Sequence, residues 1–165
     1  MSLLTSAVSM TKAMVQIDST DPGTYEKAMA DWIEQQLSDL SNVLITRENV
    51  LPGRPNLMAE IPGPKQFPAL VMICHMDTVV IGDGWTLPPF EAIEKDGKIY
   101  GRGACDMKSG LACCLSAFIM AARTLHASSQ APKRTLKLIC SMDEEDFMRG
   151  SEACIGSGWV TSKDW

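Results

Sequence analysis

The sequence predicts an α/β fold with a largely parallel sheet flanked by helices, and three observations carry that expectation. Short apolar runs, Ala69-Leu70-Val71-Met72-Ile73 and Leu136-Lys137-Leu138-Ile139-Cys140, read as buried strands. Helical patterns stand between the extended segments, and strands alternating with helices imply βαβ units. Polar clusters follow the runs: Cys74-His75-Met76-Asp77, Asp106 in a Gly-rich turn, and Asp143-Glu144-Glu145-Asp146. Open α/β sheets bind ligands beyond the carboxyl ends of their strands, which is where these residues would gather.

Each element has its own signal. Residues 3–17 form a helical pattern with Leu3, Leu4, Ala7, Met10, Met14 and Ile17 on one face. Thr20-Asp21-Pro22 reads as a helix start, a capping residue followed by Pro in the first turn. The helix it opens carries Tyr25, Met29, Trp32, Ile33 and Leu37 on one stripe. Residues 43–47 and 56–61 read as strands separated by Pro52-Gly53-Arg54-Pro55. Ile61-Pro62-Gly63-Pro64 is a turn before the strand that ends at His75. Residues 90–93 and 98–100 flank Asp96-Gly97, a strong hairpin signal. Residues 107–126 read as an apolar helix buried on most of its surface, 134–141 as a strand and 150–159 as a final helix.

A chain of 165 residues suits one domain that buries roughly 70% of its unfolded surface. Its 45% hydrophobic and 21% charged content are those of a soluble globular protein. A net charge of −5 argues mildly against nucleic-acid or anionic-membrane partners. No apolar stretch is expected to approach the ~20 residues that span a bilayer. No basic segment followed by an apolar core opens the chain, so secretion is not indicated. Cys74, Cys105, Cys113, Cys114, Cys140 and Cys154 lie mostly in apolar segments without CxxC spacing. They read as reduced, buried small hydrophobes, which points to the cytoplasm.

The three polar clusters carry the chemistry. His75 and Asp77 are two apart, so on a persisting strand both face the same side. That sets a carboxylate beside the imidazole, to ligate a metal or to accept the other ring N–H. Asp106 enters a helix from Gly101-Arg102-Gly103, and alone would be an N-cap. Alone, Asp143-Glu144-Glu145-Asp146 would be a solvated loop. Gathered at one sheet edge, such a run costs self-repulsion unless a cation neutralises it. Adjacent glutamates can then divide the work, one binding metal and one moving protons. One His and several carboxylates make a metal site of hard-to-borderline character, and metal-assisted hydrolysis is its expected chemistry. His126, the only other His, reads as structural at a helix C-terminus. Trp85 and Pro88-Pro89-Phe90 read as loop packing.

Taken in order, His75-Met76-Asp77-Thr78-Val79, Trp85 with Pro88-Pro89-Phe90, Asp96-Gly97-Lys98-Ile99-Tyr100-Gly101-Arg102-Gly103, Asp106-Met107-Lys108 and Asp143-Glu144-Glu145 resemble one family. It is the metallopeptidase family of acetylornithine deacetylase, succinyl-diaminopimelate desuccinylase and glutamate carboxypeptidase. The resemblance implies the catalytic domain of a dinuclear metallohydrolase with two zinc ions, cobalt or manganese being possible substitutes. It implies His75 on one metal, Glu145 on the other, Asp106 bridging both, and Asp77 orienting His75. Glu144 would be the general base that deprotonates a metal-bridging water and later protonates the leaving amine. The Asp106–Met107 peptide would be cis. The implied substrate is an N-acyl amino acid or short peptide, cleaved at its amide bond.

Family members run much longer than this chain. They carry a further acidic ligand downstream of the Glu-Glu pair, a final His ligand and an inserted α/β dimerisation domain. The resemblance therefore implies that residues 1–165 are the N-terminal portion of the catalytic domain, without the dimerisation domain and the C-terminal catalytic portion. A homodimer is expected only for the full-length protein. Ser109 stands where family members often have Gly. With His75, Asp106 and Glu145 as direct ligands, the chain alone is expected to bind metal weakly and to lack amidase activity. The alternative is a catalytically incompetent metal-binding or regulatory fragment.

Overall fold

The structure, a computed structural model, describes residues 3–165. Helix α1 (Leu3–Val15) leads to a two-residue strand β1 (Thr20–Asp21) and helix α2 (Lys27–Leu37). Strands β2 (Leu44–Leu51), β3 (Arg54–Ile61), β4 (Leu70–His75) and β5 (Thr78–Val79) follow. A hairpin, β6 (Ile93–Lys95) and β7 (Lys98–Tyr100), leads through a kinked turn to helix α3 (Ser109–Ala127). Strand β8 (Leu136–Ser141) and helix α4 (Arg149–Gly156) complete the order.

The α/β class holds, but the sheet is mixed rather than largely parallel. Its order is β2-β3-β8-β4, with β2/β3 and β3/β8 antiparallel and β4/β8 parallel. The reason is connection length. Pro52-Gly53 leaves room only for a tight turn, with Gly53 at φ 73°, and a tight turn joins antiparallel neighbours. Only the path from β4 through α3 to β8 is long enough to return a parallel strand. Arg54 and Pro55, expected in the turn, are the first residues of β3. The Asp96-Gly97 hairpin forms as expected, both residues at positive φ.

Period-2 alternation sorts the apolar side chains to two faces. Leu57, Ala59, Ile61, Leu138 and Cys140 join Met14, Met29, Ile33, Leu111, Leu115 and Phe118 of the three long helices in the main core. Ile139 and Met58 point the other way, against Cys154 of α4 and Trp159. The side chains of Leu3 and Leu4, expected on the α1 stripe, lie outside those described. The outer edge of β4 is bonded by Trp165, through Ala69 and Val71, and at its end by Met107 Sδ, which accepts the His75 N–H; Leu70 and Ile73 are exposed.

Three further expectations are corrected. Thr20-Asp21-Pro22 does not start a helix: Thr20 and Asp21 pair with Thr78 and Val79, and α2 begins at Lys27. The segment Ala104–Ala127 is long and apolar enough, by length and composition, to cross a membrane. It is the core helix here, Leu111, Leu115 and Phe118 burying one face while Cys113 and Met120 stay exposed, so it is not buried on most of its surface. All six cysteines are free, but only Cys74, Cys140 and Cys154 are buried.

Candidate metal and active site

Strands β4 and β8 run in parallel, His75 opposite Ser141, so the segments after them leave from the same sheet edge. His75 is the last residue of β4 and is buried. Its Nδ1 lies 3.1 Å from the Asp77 main-chain carbonyl and 3.6 Å from the Asp77 Oδ1. That carbonyl accepts the Nδ1 proton and leaves Nε2 aimed outward. Nε2 is 3.1 Å from Asp106 Oδ1 and 3.7 Å from Glu144 Oε2. Asp77 reaches further: its Oδ2 accepts the Glu145 backbone N–H at 2.9 Å. One buried carboxylate thus ties the end of β4 to the loop that carries both glutamates.

Asp106 comes from the other side of the cleft. The turn Ala104–Lys108 starts after Gly103 at φ 76° and departs from helical geometry at Asp106 and Met107. The Asp106–Met107 peptide is cis, as the resemblance implies. The turn is pinned below by buried Lys108, whose Nζ donates to the Ile17 carbonyl at 2.7 Å. Asp106 itself points to solvent, its side chain 77% exposed.

The donors converge. One ligand atom each from His75, Asp106 and Glu145 lie within 4.8 Å of one another. Bonds of about 2.0–2.2 Å from an imidazole nitrogen and two carboxylate oxygens could meet at one ion placed among them. This mixed N/O set is of a kind that divalent metal ions take. The electrostatics agree. Burial works against a charged His75, but Asp77, Asp106 and Glu144 outweigh it and push its pKa up to about 9. Burial and the carboxylates of Asp106, Asp77 and Glu144 raise Glu145, against the pull of His75. Asp77 is held below its ordinary value: burial opposes this, and His75 with the Glu145 and Glu144 N–H groups prevails. The site is short of positive charge, as a cation site should be.

A cavity of about 260 Å³ adjoins it, lined by Thr78, Arg102, Cys105, Asp106 and Glu145 among others. Arg102 is held by the Ile81 carbonyl at 2.8 Å and sits over the Trp85 ring, so Trp85 packs a loop as expected. His126 is exposed in the last turn of α3, apart from the site.

The acidic run does not act as one unit. Asp143, at φ 62°, turns inward and is fully buried, while Asp146 is exposed. Asp143 binds Arg149 through Nε at 2.6 Å and Nη2 at 2.8 Å. Behind it, Arg54 of β3 donates to Glu26 and Asp21. This buried group was missed from sequence because Asp21 and Arg54 flank prolines and read as cap and turn. No local signal in the sequence marks it: the register that sets Leu57 opposite Cys140 is what brings Arg54 near Asp143.

The sequence model of peptidase family M20/M25/M40 matches residues 71–164. A probable succinyl-diaminopimelate desuccinylase of Staphylococcus aureus is 38% identical over 113 residues, 67% of this chain and 26% of the relative. An uncharacterized metallohydrolase of Methanocaldococcus jannaschii is 31% identical over 167 residues, 92% of this chain and 39% of the relative. The chain therefore spans well under half the length of either curated relative. The fold is similar to that of the dipeptidase Dug1p of Saccharomyces cerevisiae, with a TM-score of 0.69 at 18% identity, covering 94% of this chain and 35% of that one.

Proposed function

The chain belongs to peptidase family M20/M25/M40, and on that premise we propose that it forms the metal-binding core of a hydrolase that cleaves an amide bond in an N-acyl amino acid or short peptide. The single observation that carries the reading is the meeting of His75, Asp106 and Glu145, from three separate segments, with Glu144 beside them. His75 Nε2, Asp106 and Glu145 would hold divalent metal, zinc by preference, with Asp106 shared if two ions bind. When bound, the metal supplies Lewis acidity toward the amide carbonyl and toward water.

This chain's residues do the rest. Asp77 orients the His75 ring through its main-chain carbonyl and its carboxylate, and fixes the Glu145 backbone. Glu144, its side chain 38% exposed, is free to accept a proton from the attacking water and return it to the leaving amine. The small cavity beside Asp106 and Glu145 fits a short substrate rather than a folded polypeptide. The 38% identity to a probable succinyl-diaminopimelate desuccinylase supports that class of substrate.

On this reading residues 1–165 are the N-terminal portion of a longer catalytic domain, which the 26% and 39% shares of the relatives that the chain covers support. Catalytic zinc ordinarily has three protein ligands and an open position, so three donors shared between two ions bind weakly. The chain alone is then a metal-binding unit with little or no turnover, and a homodimer belongs to the full-length protein. Free thiols and net negative charge suit a cytoplasmic setting without nucleic-acid or membrane partners.

The test is kinetic, on N-succinyl amino acids and dipeptides with a full-length version. Glu144→Gln should keep its metal and lose about 10²–10⁴-fold in kcat, whereas Glu145→Gln should also lose metal. Wild-type turnover by Glu144→Gln would end the assignment of the base.

A further inference from the structure

Behind the metal donors lies a second, closed group of charges. Asp21, Glu26, Asp77 and Asp143 are each no more than 8% exposed, and Arg54 is 7% exposed. Arg54 Nε donates to Glu26 Oε2 at 2.9 Å, and its Nη2 donates to Glu26 Oε1 and Asp21 Oδ2. The same Nη2 lies 3.3 Å from Asp143 Oδ1, and the guanidinium stacks on Tyr25 at 4.2 Å. Glu26 in turn accepts the Asp143 backbone N–H at 3.2 Å. Next along β3, Asn56 accepts the Met142 backbone N–H at 3.0 Å and donates to the Gly150 carbonyl at 2.8 Å.

These contacts fall on one segment. Met142 is gripped from β3 by Asn56, and Asp143 by Glu26 just before α2, immediately ahead of Glu144 and Glu145, and Gly150 is gripped just after. Asp143 also turns the chain at φ 62°, so its orientation sets where the next two side chains go. Carboxylates in so small a volume repel one another, and Arg54 is the buried guanidinium placed to hold three of them, Asp21, Glu26 and Asp143. A planar fork can bond several carboxylates at fixed angles, which a lysine ammonium cannot.

We propose that Arg54 is a positioning residue for the metal site: through Glu26, Asp21 and Asp143 it fixes the loop that presents Glu144 and Glu145 to the metal. The proposal rests on the reading of Glu145 as a ligand. Groups bonded directly to metal ligands commonly account for 10–100-fold in affinity, and Arg54 acts at the lower end of that scale through Asp143, the residue before Glu144.

The test is a Co²⁺ titration of the purified chain, following both affinity and the visible spectrum, for wild type, Arg54→Met and Arg54→Lys. Apo thermal melting is recorded for each. Arg54→Met should bind Co²⁺ at least tenfold more weakly with an altered spectrum, and Arg54→Lys should fall between it and wild type. Leu138→Ala, a core change away from the site, should lower the melting temperature and leave Co²⁺ affinity unchanged. If Arg54→Met does not fold, Asp21→Asn/Glu26→Gln/Arg54→Met removes the two carboxylates stranded with it, and its Co²⁺ affinity should still be weak. Wild-type affinity and spectrum in a folded variant lacking Arg54 would overturn the proposal while leaving the metal reading intact. Co²⁺ binding left unchanged by His75→Ala and by Glu145→Gln would overturn both.

Discussion

Two acidic groups stand back to back at the carboxyl edge of the sheet, and they are finished in opposite ways. The inner one, Asp21, Glu26 and Asp143, encloses Arg54 and is closed at its rim by Arg149. The outer one, Asp106, Glu144 and Glu145, has one imidazole, His75, as its ion-pair partner among the described residues. Asp143 has a side chain 0% exposed and Asp106 one 77% exposed. Both groups draw on the same run of four acids. A carboxylate cluster is therefore not a metal site by composition. What decides is whether the protein supplies its own cation or leaves the charge deficit facing water, where an ion can enter.

The largest effect that could break this distinction is on stability. Arg54→Met leaves buried carboxylates unpaired and should cost about 3–5 kcal/mol. Asp106→Asn removes an exposed charge from a crowded, like-charged site and should change stability by less than about 0.5 kcal/mol. Urea denaturation of the metal-free chain measures both. Equal losses would mean that the two groups are not differently built.

Next in size is stabilisation by metal. Zinc at about 100 times its dissociation constant should raise folding stability by roughly 2.7 kcal/mol, because it binds the folded site. The same zinc concentration should do much less for Glu145→Gln. Undiminished stabilisation of that variant would place the ion elsewhere.

The smallest effect is a pH dependence that sharpens the electrostatic side. His75 is pushed up to about 9 by its carboxylate neighbours. In the metal-free chain that raised value stabilises the fold below the ordinary His value and is lost as pH rises through about 9. Metal must displace the same proton. Between pH 6.5 and 8, stability in chelator should therefore fall from this group while Co²⁺ affinity rises by about tenfold per unit, or 1.4 kcal/mol. A flat Co²⁺ affinity across that range would show that His75 is not titrated by the metal.

How much of this was legible from sequence follows the same division. His75, Asp77, Asp106, Glu144 and Glu145 could be singled out as candidates because each sits next to a local signal: an apolar run that stops, or a Gly-rich turn that enters a helix. The parallel pairing of β4 with β8 then brings the segments together, and that pairing follows from the long crossover between them. Arg54, Asp21 and Glu26 were not readable. Arg54 bonds Glu26 and Asp21 from 28 and 33 residues away, and it meets Asp143 across the antiparallel β3/β8 register, none of which a local pattern encodes. Pro22 and Pro55 also disguised their neighbours as cap and turn. The same locality explains the sheet: apolar runs announce strands but not their direction. It explains α3 too, where composition alone cannot tell a core helix from a membrane span.

The most direct test of the central claim is X-ray absorption at the zinc edge of the zinc-loaded chain. The expected spectrum has only nitrogen and oxygen neighbours, at about 2.0–2.2 Å, with the scattering signature of one imidazole, and that signature disappears in His75→Ala. A sulfur neighbour at about 2.3 Å, which exposed Cys105 beside Asp106 would supply, or a shell unchanged in His75→Ala, would contradict it.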